Sequence, residues 1–281
     1  MSAHAAGVAA RPLAPSAQDR GTRRFLHITW MLAITEFKIR YFGSVLGYLW
    51  SLMRPLMLFG VLYVVFTHVV RFGGDIAHYP LKLLLAMVIW SYFAEATGQA
   101  VASLVAREGL LRKVVFPPAV VPLSVALTSA LNLGLNLCVV FLFVLISGIA
   151  PTAQWLEILP LVVLLLVLTA ATSMLLAVLY VPFRDVAPIW EVASQALFWG
   201  TPIIYVIETA PGGVRELMMA NPLAAIIEQA RHAVIDPSAP SAAAASGGAL
   251  KLLIPLAIVG LLLAASLELY RRSKSTLAER L

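Results

Sequence analysis

The feature that most restricts this chain is a set of long apolar runs that are nearly free of charge. A helix crossing a bilayer needs about 20 mostly apolar residues, because each adds about 1.5 Å against a hydrocarbon core of about 30 Å. Five segments meet that requirement, approximately residues 46–70, 81–105, 119–148, 158–181 and 249–270. A sixth, 186–207, is interrupted by Pro188, Glu191, Gln195 and Pro202; it counts as a span because losing it would put the two chain ends on opposite sides. The composition agrees, with 61% hydrophobic and 12% charged residues, against about 45–50% and about 25% in soluble domains. So little charge cannot cover a water-facing surface, and lipid must be a large part of the solvent. The expected fold is all-α integral membrane with six transmembrane helices.

The cations set the orientation. One side holds Arg11, Arg20, Arg23, Arg24, Lys38 and Arg40, then Arg107, Arg112 and Lys113, then Arg184, and finally Arg271, Arg272, Lys274 and Arg280. The other side, with longer loops, has only Arg71, Lys82, Arg215, Arg231 and Lys251. Positive residues stay inside, so both termini are expected in the cytoplasm. The net charge of +6 is therefore topological information and not a phosphate-binding groove, which argues against a nucleic-acid partner. The single cysteine, Cys138, lies in an apolar run, which excludes a disulfide framework and a thiolate metal site. Residues 1–24 lack an apolar core and read as a disordered cytoplasmic tail; 25–270 form the membrane domain and 271–281 a cytoplasmic C-tail.

Two segments are neither span nor simple loop. Residues 25–41 set Phe25, Ile28, Trp30, Met31, Ile34, Phe37 and Tyr41 at helical spacing beside a basic face, as in a helix lying in the membrane interface. Glu36 and Arg40 are spaced to pair one turn apart. Residues 211–236 hold two apolar pieces too short to cross, broken at Asn221-Pro222. Two short re-entrant helices on the outer face fit that pattern, with Asn221 as N-cap and Pro222 in the first turn. The Ala-, Ser-, Gly- and Pro-rich stretch 237–248 reads as a flexible outer linker.

Chemistry-bearing motifs are missing where an enzyme would need them. No GxxxxGK[ST] loop is present to cradle nucleotide phosphates. Asp19, Asp75, Asp185 and Asp236 are too scattered for a Mg²⁺-holding pair, and the histidines show no metal-ligand spacing. No catalytic residue and no metal site is expected. Ionisable groups inside apolar spans are the remaining candidates, because lipid makes them expensive. Arg54 sits near a cytoplasmic end, where snorkelling alone would account for it, whereas Glu95 and Glu191 lie deeper. Trp50, Tyr63, Trp90, Phe93, Phe198, Trp199 and Tyr205 could stack against sugar rings, although an interfacial belt with ordinary packing also explains them. Residues 107–118 form a short amphipathic cytoplasmic segment between a Gly and a double Pro. It would offer Leu110, Leu111, Val114 and Phe116 on a basic background with Arg112 and Lys113, as a surface for a partner's groove or for anionic headgroups.

Several runs, in order and at consistent spacing, carry a resemblance. They are Lys38 to Trp50 followed by Arg54-Pro55, Trp90-Ser91-Tyr92-Phe93, Leu111 to Pro117, Tyr180 to Val186, Pro202-Ile203-Ile204-Tyr205 and Asn221-Pro222-Leu223. From about Phe25 to Tyr270 the chain resembles the permease subunits of ABC exporters that move lipid-linked polysaccharides, namely O-antigen, capsule and teichoic acids. The resemblance implies a multi-pass protein of the bacterial inner membrane that dimerises with a second copy and pairs with two ATP-binding-cassette subunits. ATP and Mg would be used by those partners, and this chain would bind no cofactor. It further implies that residues 107–118, with Glu36, Arg40, Arg184 and Asp185, seat on the ATPase, and that Asn221, Pro222, Glu228 and Arg231 belong to an outer gate. The lipid-linked polysaccharide, most readily O-antigen, would pass along the dimer seam, for which the aromatic set with Arg54, Glu95 and Glu191 supplies the candidate lining residues. An exporter of drugs or small lipids, an integral-membrane enzyme of glycolipid assembly and a purely structural subunit are the competing readings.

Overall fold

Residues 17–42, 47–65, 76–113 and 116–280 are described by the structure, a computed structural model. Residues 1–16 of the expected tail, the side chains of Trp50 and Arg54, and Val114 lie outside the described residues. The described secondary structure is all helical. In chain order it comprises α1 (Ala17–Phe42), α2 (Gly47–Val64), α3 (Tyr79–Val101), α4 (Ser103–Ala106), α5 (Glu108–Lys113), α6 (Val120–Ile146) and α7 (Ile158–Tyr180). α8 (Val186–Gly200), α9 (Gly212–Met219), α10 (Pro222–Val234), α11 (Ala242–Ala245) and α12 (Leu253–Arg280) complete it. The outer helices run past their expected limits: α1 starts at Ala17, inside the stretch read as tail, and α12 continues to Arg280 through the expected C-tail.

Four described helical stretches are long and apolar enough to cross a membrane: Tyr79–Val101, Val120–Ile146, Ala153–Tyr180 and Ala249–Ser273. They coincide with four of the expected spans. The segment 186–207 behaves differently. Its helix, α8, stops at Gly200 after 15 residues, roughly 22 Å and short of the hydrocarbon thickness of about 30 Å. The chain then runs without helix to Val206. The interrupted segment 186–207 is therefore a 15-residue helix followed by an unwound, largely buried stretch. The coarse reading stands, that of a multi-pass helical membrane protein.

The helices pack around α3, where residues 83–89 are none more than 4% exposed. Pro80 opens this helix at its first turn, where no backbone N–H is needed. Close approach comes from small side chains at the contacts, Ala86, Ala96 and Ala100 on α3 and Ala171 and Ala177 on α7, all essentially buried. Buried hydroxyls return to their own helix, with Thr97 donating to the Phe93 carbonyl (2.7 Å), Thr128 to Ser124 (2.8 Å) and Thr172 to Leu168 (2.8 Å). That satisfies them without breaking the apolar seam. Large apolar side chains turned outward on α6 and α12, such as Leu142, Ile146 and Leu261, suit a lipid neighbour.

The stretch 237–248 is not a loose linker. Ser241 caps the single-turn α11, and Ala242, Ala245 and Ser246 are buried beneath α9 and α10. Gly247 turns the chain at φ 78°, where a Cβ would stand 2.9 Å from Glu216 Oε1. Short side chains, which suggested flexibility, are here what lets the segment pack.

Candidate functional site

Three polar or aromatic constellations stand out, one at each end of the bundle and one along α8. At one end of the bundle α3 gives way to the single turn of α4, then Arg107, then α5. α5 has no buried residue. Leu110 is its exposed apolar side chain (37%), beside exposed Arg112 and Lys113, and Arg112 pairs with Glu108 at 2.5 Å. Leu111 and Phe116, expected to be offered outward, instead pack onto a second core cluster of Leu104, Met174, Val178 and Tyr270. The apolar surface on offer is thus narrower than the sequence suggests, because alternate residues of so short a helix must turn inward to anchor it. Arg184 is exposed, with its guanidinium 4.9 Å above the Tyr180 ring, and Asp185 is exposed at the start of α8.

Glu36 and Arg40 do not pair with each other. Glu36 Oε1 lies 2.6 Å from Arg107 Nη2, a close ion pair and not an aligned hydrogen bond. Arg40 Nη1 donates to Glu95 Oε1 at 2.7 Å, and its Nη2 donates to Gln99. Burial pushes the Glu36 carboxyl up, with Arg107 pulling the opposite way. Glu95, expected to face a protein seam or an aqueous path, meets Arg40 and Gln99 Nε2, the latter at 3.0 Å.

Along α8 the structure brings together much of the expected aromatic set. Trp90 meets Phe198 edge-on at 5.5 Å, Phe93 meets Trp190 at 6.1 Å, and Phe198 meets Trp199 at 5.3 Å. Trp190 Nε1 donates to Thr97 Oγ1 at 3.2 Å. Trp90 (8% exposed) and Phe93 (3%) are closed in this packing, so they join α3 to α8 and offer no ring face to a cargo. Trp199 and Glu191 remain exposed on α8, with Ile189 and Val192. Tyr63 stacks on Phe59 at 5.9 Å within α2.

At the opposite end, the unwound segment after α8 is held by side chains on every carbonyl from Ile203 to Tyr205. Arg231 Nη2 donates to Ile203 O (2.8 Å), Tyr79 Oη to Ile204 O (2.7 Å) and Arg231 Nη1 to Tyr205 O (3.4 Å). Arg231 Nε also reaches the Lys82 carbonyl at 3.2 Å, and Nη1 lies 3.3 Å from Glu228 Oε2. Non-helical backbone away from water is tolerated only when protein satisfies it in this way. Arg231 and Glu228 are each 1% exposed. Burial pushes the Glu228 carboxyl up and the Arg231 guanidinium down, and each opposes the other's shift as its ion partner.

Asn221 caps α10, accepting from Leu223 N at 3.0 Å, with Pro222 in the first turn. Its Nδ2 donates to Thr201 Oγ1 (2.8 Å), which ties the cap to the break. Lys82 pairs with Asp236 at 2.8 Å, and Gln229 bridges Glu157 (2.6 Å) to the backbone of Ala242 (2.9 Å). Burial pushes the Asp236 carboxyl up, but hydrogen bonds from Lys82 and Ser238 outweigh it and hold the group at about 2. Lys82, Asp236, Gln229 and Trp190 were not singled out from sequence. A lysine in the first turn of an apolar helix was the one signal that a buried partner had to exist.

The ABC-2 type transporter family matches residues 28–235, from α1 to the end of α10. The chain is 30% identical over 193 residues to the O-antigen export system permease protein RfbA of Klebsiella pneumoniae, covering 68% of this chain and 74% of that one. It is 34% identical over 196 residues to the protein of the same name from Myxococcus xanthus, with the same coverage of 68% and 74%. The polysialic acid transport protein KpsM of Escherichia coli is 24% identical over 214 residues, covering 73% of this chain and 80% of that one.

Proposed function

We propose, proceeding from a chain that belongs to the ABC-2 type transporter family, that it is the membrane-spanning subunit of an ATP-driven exporter carrying a lipid-linked polysaccharide of the O-antigen kind outward across the inner membrane. The observation that carries the cargo is that two relatives named for O-antigen export match two-thirds of the chain at 30% and 34% identity. The protein is a transport subunit and not an enzyme, and ATP and Mg are handled by separate cassette subunits.

Two copies meet two such subunits, six helices of each copy reach into or across the membrane, and both termini lie in the cytoplasm. α5, with Leu110, Arg112 and Lys113, seats in a groove of the ATPase, supported by Arg184 and Asp185 from the next loop. The exposed side of α8, with Glu191 and Trp199, faces the cargo path; α9 and α10 close it outside. What supports this reading is the asymmetry of α8, which is packed through Trp90, Phe93 and Phe198 on one side and open on the other.

The direct test is gentle purification of a tagged copy, followed by identification of stoichiometric partners and measurement of surface glycan in cells lacking the protein. A P-loop ATPase at equal abundance, with glycan lost from the surface and held inside, is the expected outcome. A protein recovered alone from several mild detergents, with surface glycan unchanged, would reject the reading.

A further inference from the structure

The apolar face that α12 turns outward ends on exposed cations. Leu256, Gly260, Leu263, Leu267 and Arg271 follow one another at helical spacing, and all five are exposed. Leu263 and Leu267 are 37% and 48% exposed, and a Cβ added at Gly260 would meet nothing within 4 Å, so the face is notched between Leu256 and Leu263. From Gly260 to Arg271 the helix rises about 16 Å, close to one leaflet of a hydrocarbon core of about 30 Å. The apolar stretch long enough to cross a membrane ends at Ser273, so Arg271 and Arg272 stand at its edge.

A second pair of cations reaches the same corner from α1. Phe25 packs against the apolar cluster that includes Tyr270 of α12, as does Leu269. Arg23 and Arg24, the two residues before Phe25, are exposed. Among the described residues, Glu268 is the one carboxylate that pairs with any of these four arginines. It lies 2.7 Å from Arg272 Nε but 3.8 Å from Arg271 Nη1, too far to take a hydrogen bond from Arg271. Cations at the end of a span are ordinary. Four of them from two helices, with one acid between them and an exposed apolar track leading up to them, are selective. A zwitterionic lipid would bring its own ammonium into this positive field, whereas an anionic lipid brings only acceptors.

We propose that this corner binds an anionic phospholipid. Arg271 and Arg272 hold its phosphate, Arg23 and Arg24 add attraction from α1, and one acyl chain lies along Leu267, Leu263 and the notch at Gly260. The site draws on neither α5 nor the open side of α8, and so stands apart from the exporter reading.

The test takes the full chain in discs of phosphatidylethanolamine carrying phosphatidylglycerol as the minor lipid, and counts by native mass spectrometry the lipids that leave with the protein. Phosphatidylglycerol should be retained roughly tenfold beyond its share of the disc, as several surface cations acting together allow. Arg271→Gln and Arg272→Gln should each lower that preference about fivefold, the weight of one cation near a membrane surface. Arg23→Gln with Arg24→Gln should lower it by a similar factor, and Lys38→Gln, towards the other end of α1, should leave it unchanged. A second readout keeps all four arginines: Leu267→Cys in a Cys138→Ala background, carrying a benzophenone on the thiol, should crosslink phosphatidylglycerol in excess of its share. Retention in proportion to disc composition, an equal drop from Lys38→Gln, or crosslinking without preference would each overturn the proposal.

Discussion

The two ends of this molecule use charge in opposite ways. At the end that holds α10 Arg231, Glu228 and Lys82 are withdrawn from solvent, and Arg231 spends its donors on backbone carbonyls as well as on a carboxylate. At the end that holds α5 the pairs Arg40–Glu95 and Glu36–Arg107 remain partly exposed and join whole elements. A buried charge that loses its partner is strongly penalised, whereas a pair with partial access to water parts at lower cost. The end that holds α10 is therefore the more firmly fixed of the two.

That contrast can be broken most decisively at Arg231. Arg231→Met strands the Glu228 carboxylate and leaves Ile203 and Tyr205 carbonyls without donors. Removing one member of a buried pair costs about 3–5 kcal/mol, and the loss should appear as a sharply lower melting temperature in detergent. A variant that melts like the wild type would show that this end is not held by this residue.

Asp236→Asn weakens the bond to Lys82, a hydrogen bond between charged groups of the kind worth about 1.5–3 kcal/mol, and the same melting assay reads it. Gly247→Ala forces a side chain into the left-handed region beside Glu216, which costs about 1–2 kcal/mol, and faster proteolysis of the 237–248 stretch would report it. The smallest structural effect is expected at the end that holds α5. Leu110→Asp should change stability by no more than about 0.5 kcal/mol, as at an exposed site, yet reduce recovery of the ATPase in pull-down. Leu111→Asp, by contrast, should lower stability, because that side chain packs against Leu104 and Met174. Equal stability loss at both positions would erase the distinction between the offered and the anchoring residues of α5.

Much of the fold could be read directly because the apolar runs have no alternative in lipid. The spans near α3, α6, α7 and α12 follow from length and hydropathy, and Asn221-Pro222 marks the start of α10 through local cap chemistry. The candidate site was legible only in its outline. Leu110, Arg112 and Lys113 are exposed on α5 as expected, but Leu111 and Phe116 turn inward. Trp90, Phe93, Phe198 and Trp199 do lie together, yet two of them are sealed by packing that no single-residue pattern announces.

The sequence by itself determined that this chain lives in a membrane and where its main helices fall, because those features depend on transfer of local side chains between water and lipid. Only the tertiary structure decided which partners Glu36, Arg40, Lys82 and Arg231 take, and that the helix after Asp185 stops at Gly200. A charged group can satisfy itself with any complementary atom within reach, and an unwound backbone survives wherever donors such as Tyr79 and Arg231 converge on its carbonyls. Both are settled by residues more than a hundred positions apart in some cases, as with Lys82 and Asp236 (separated by 154 positions), and so by packing and not by neighbours in the chain.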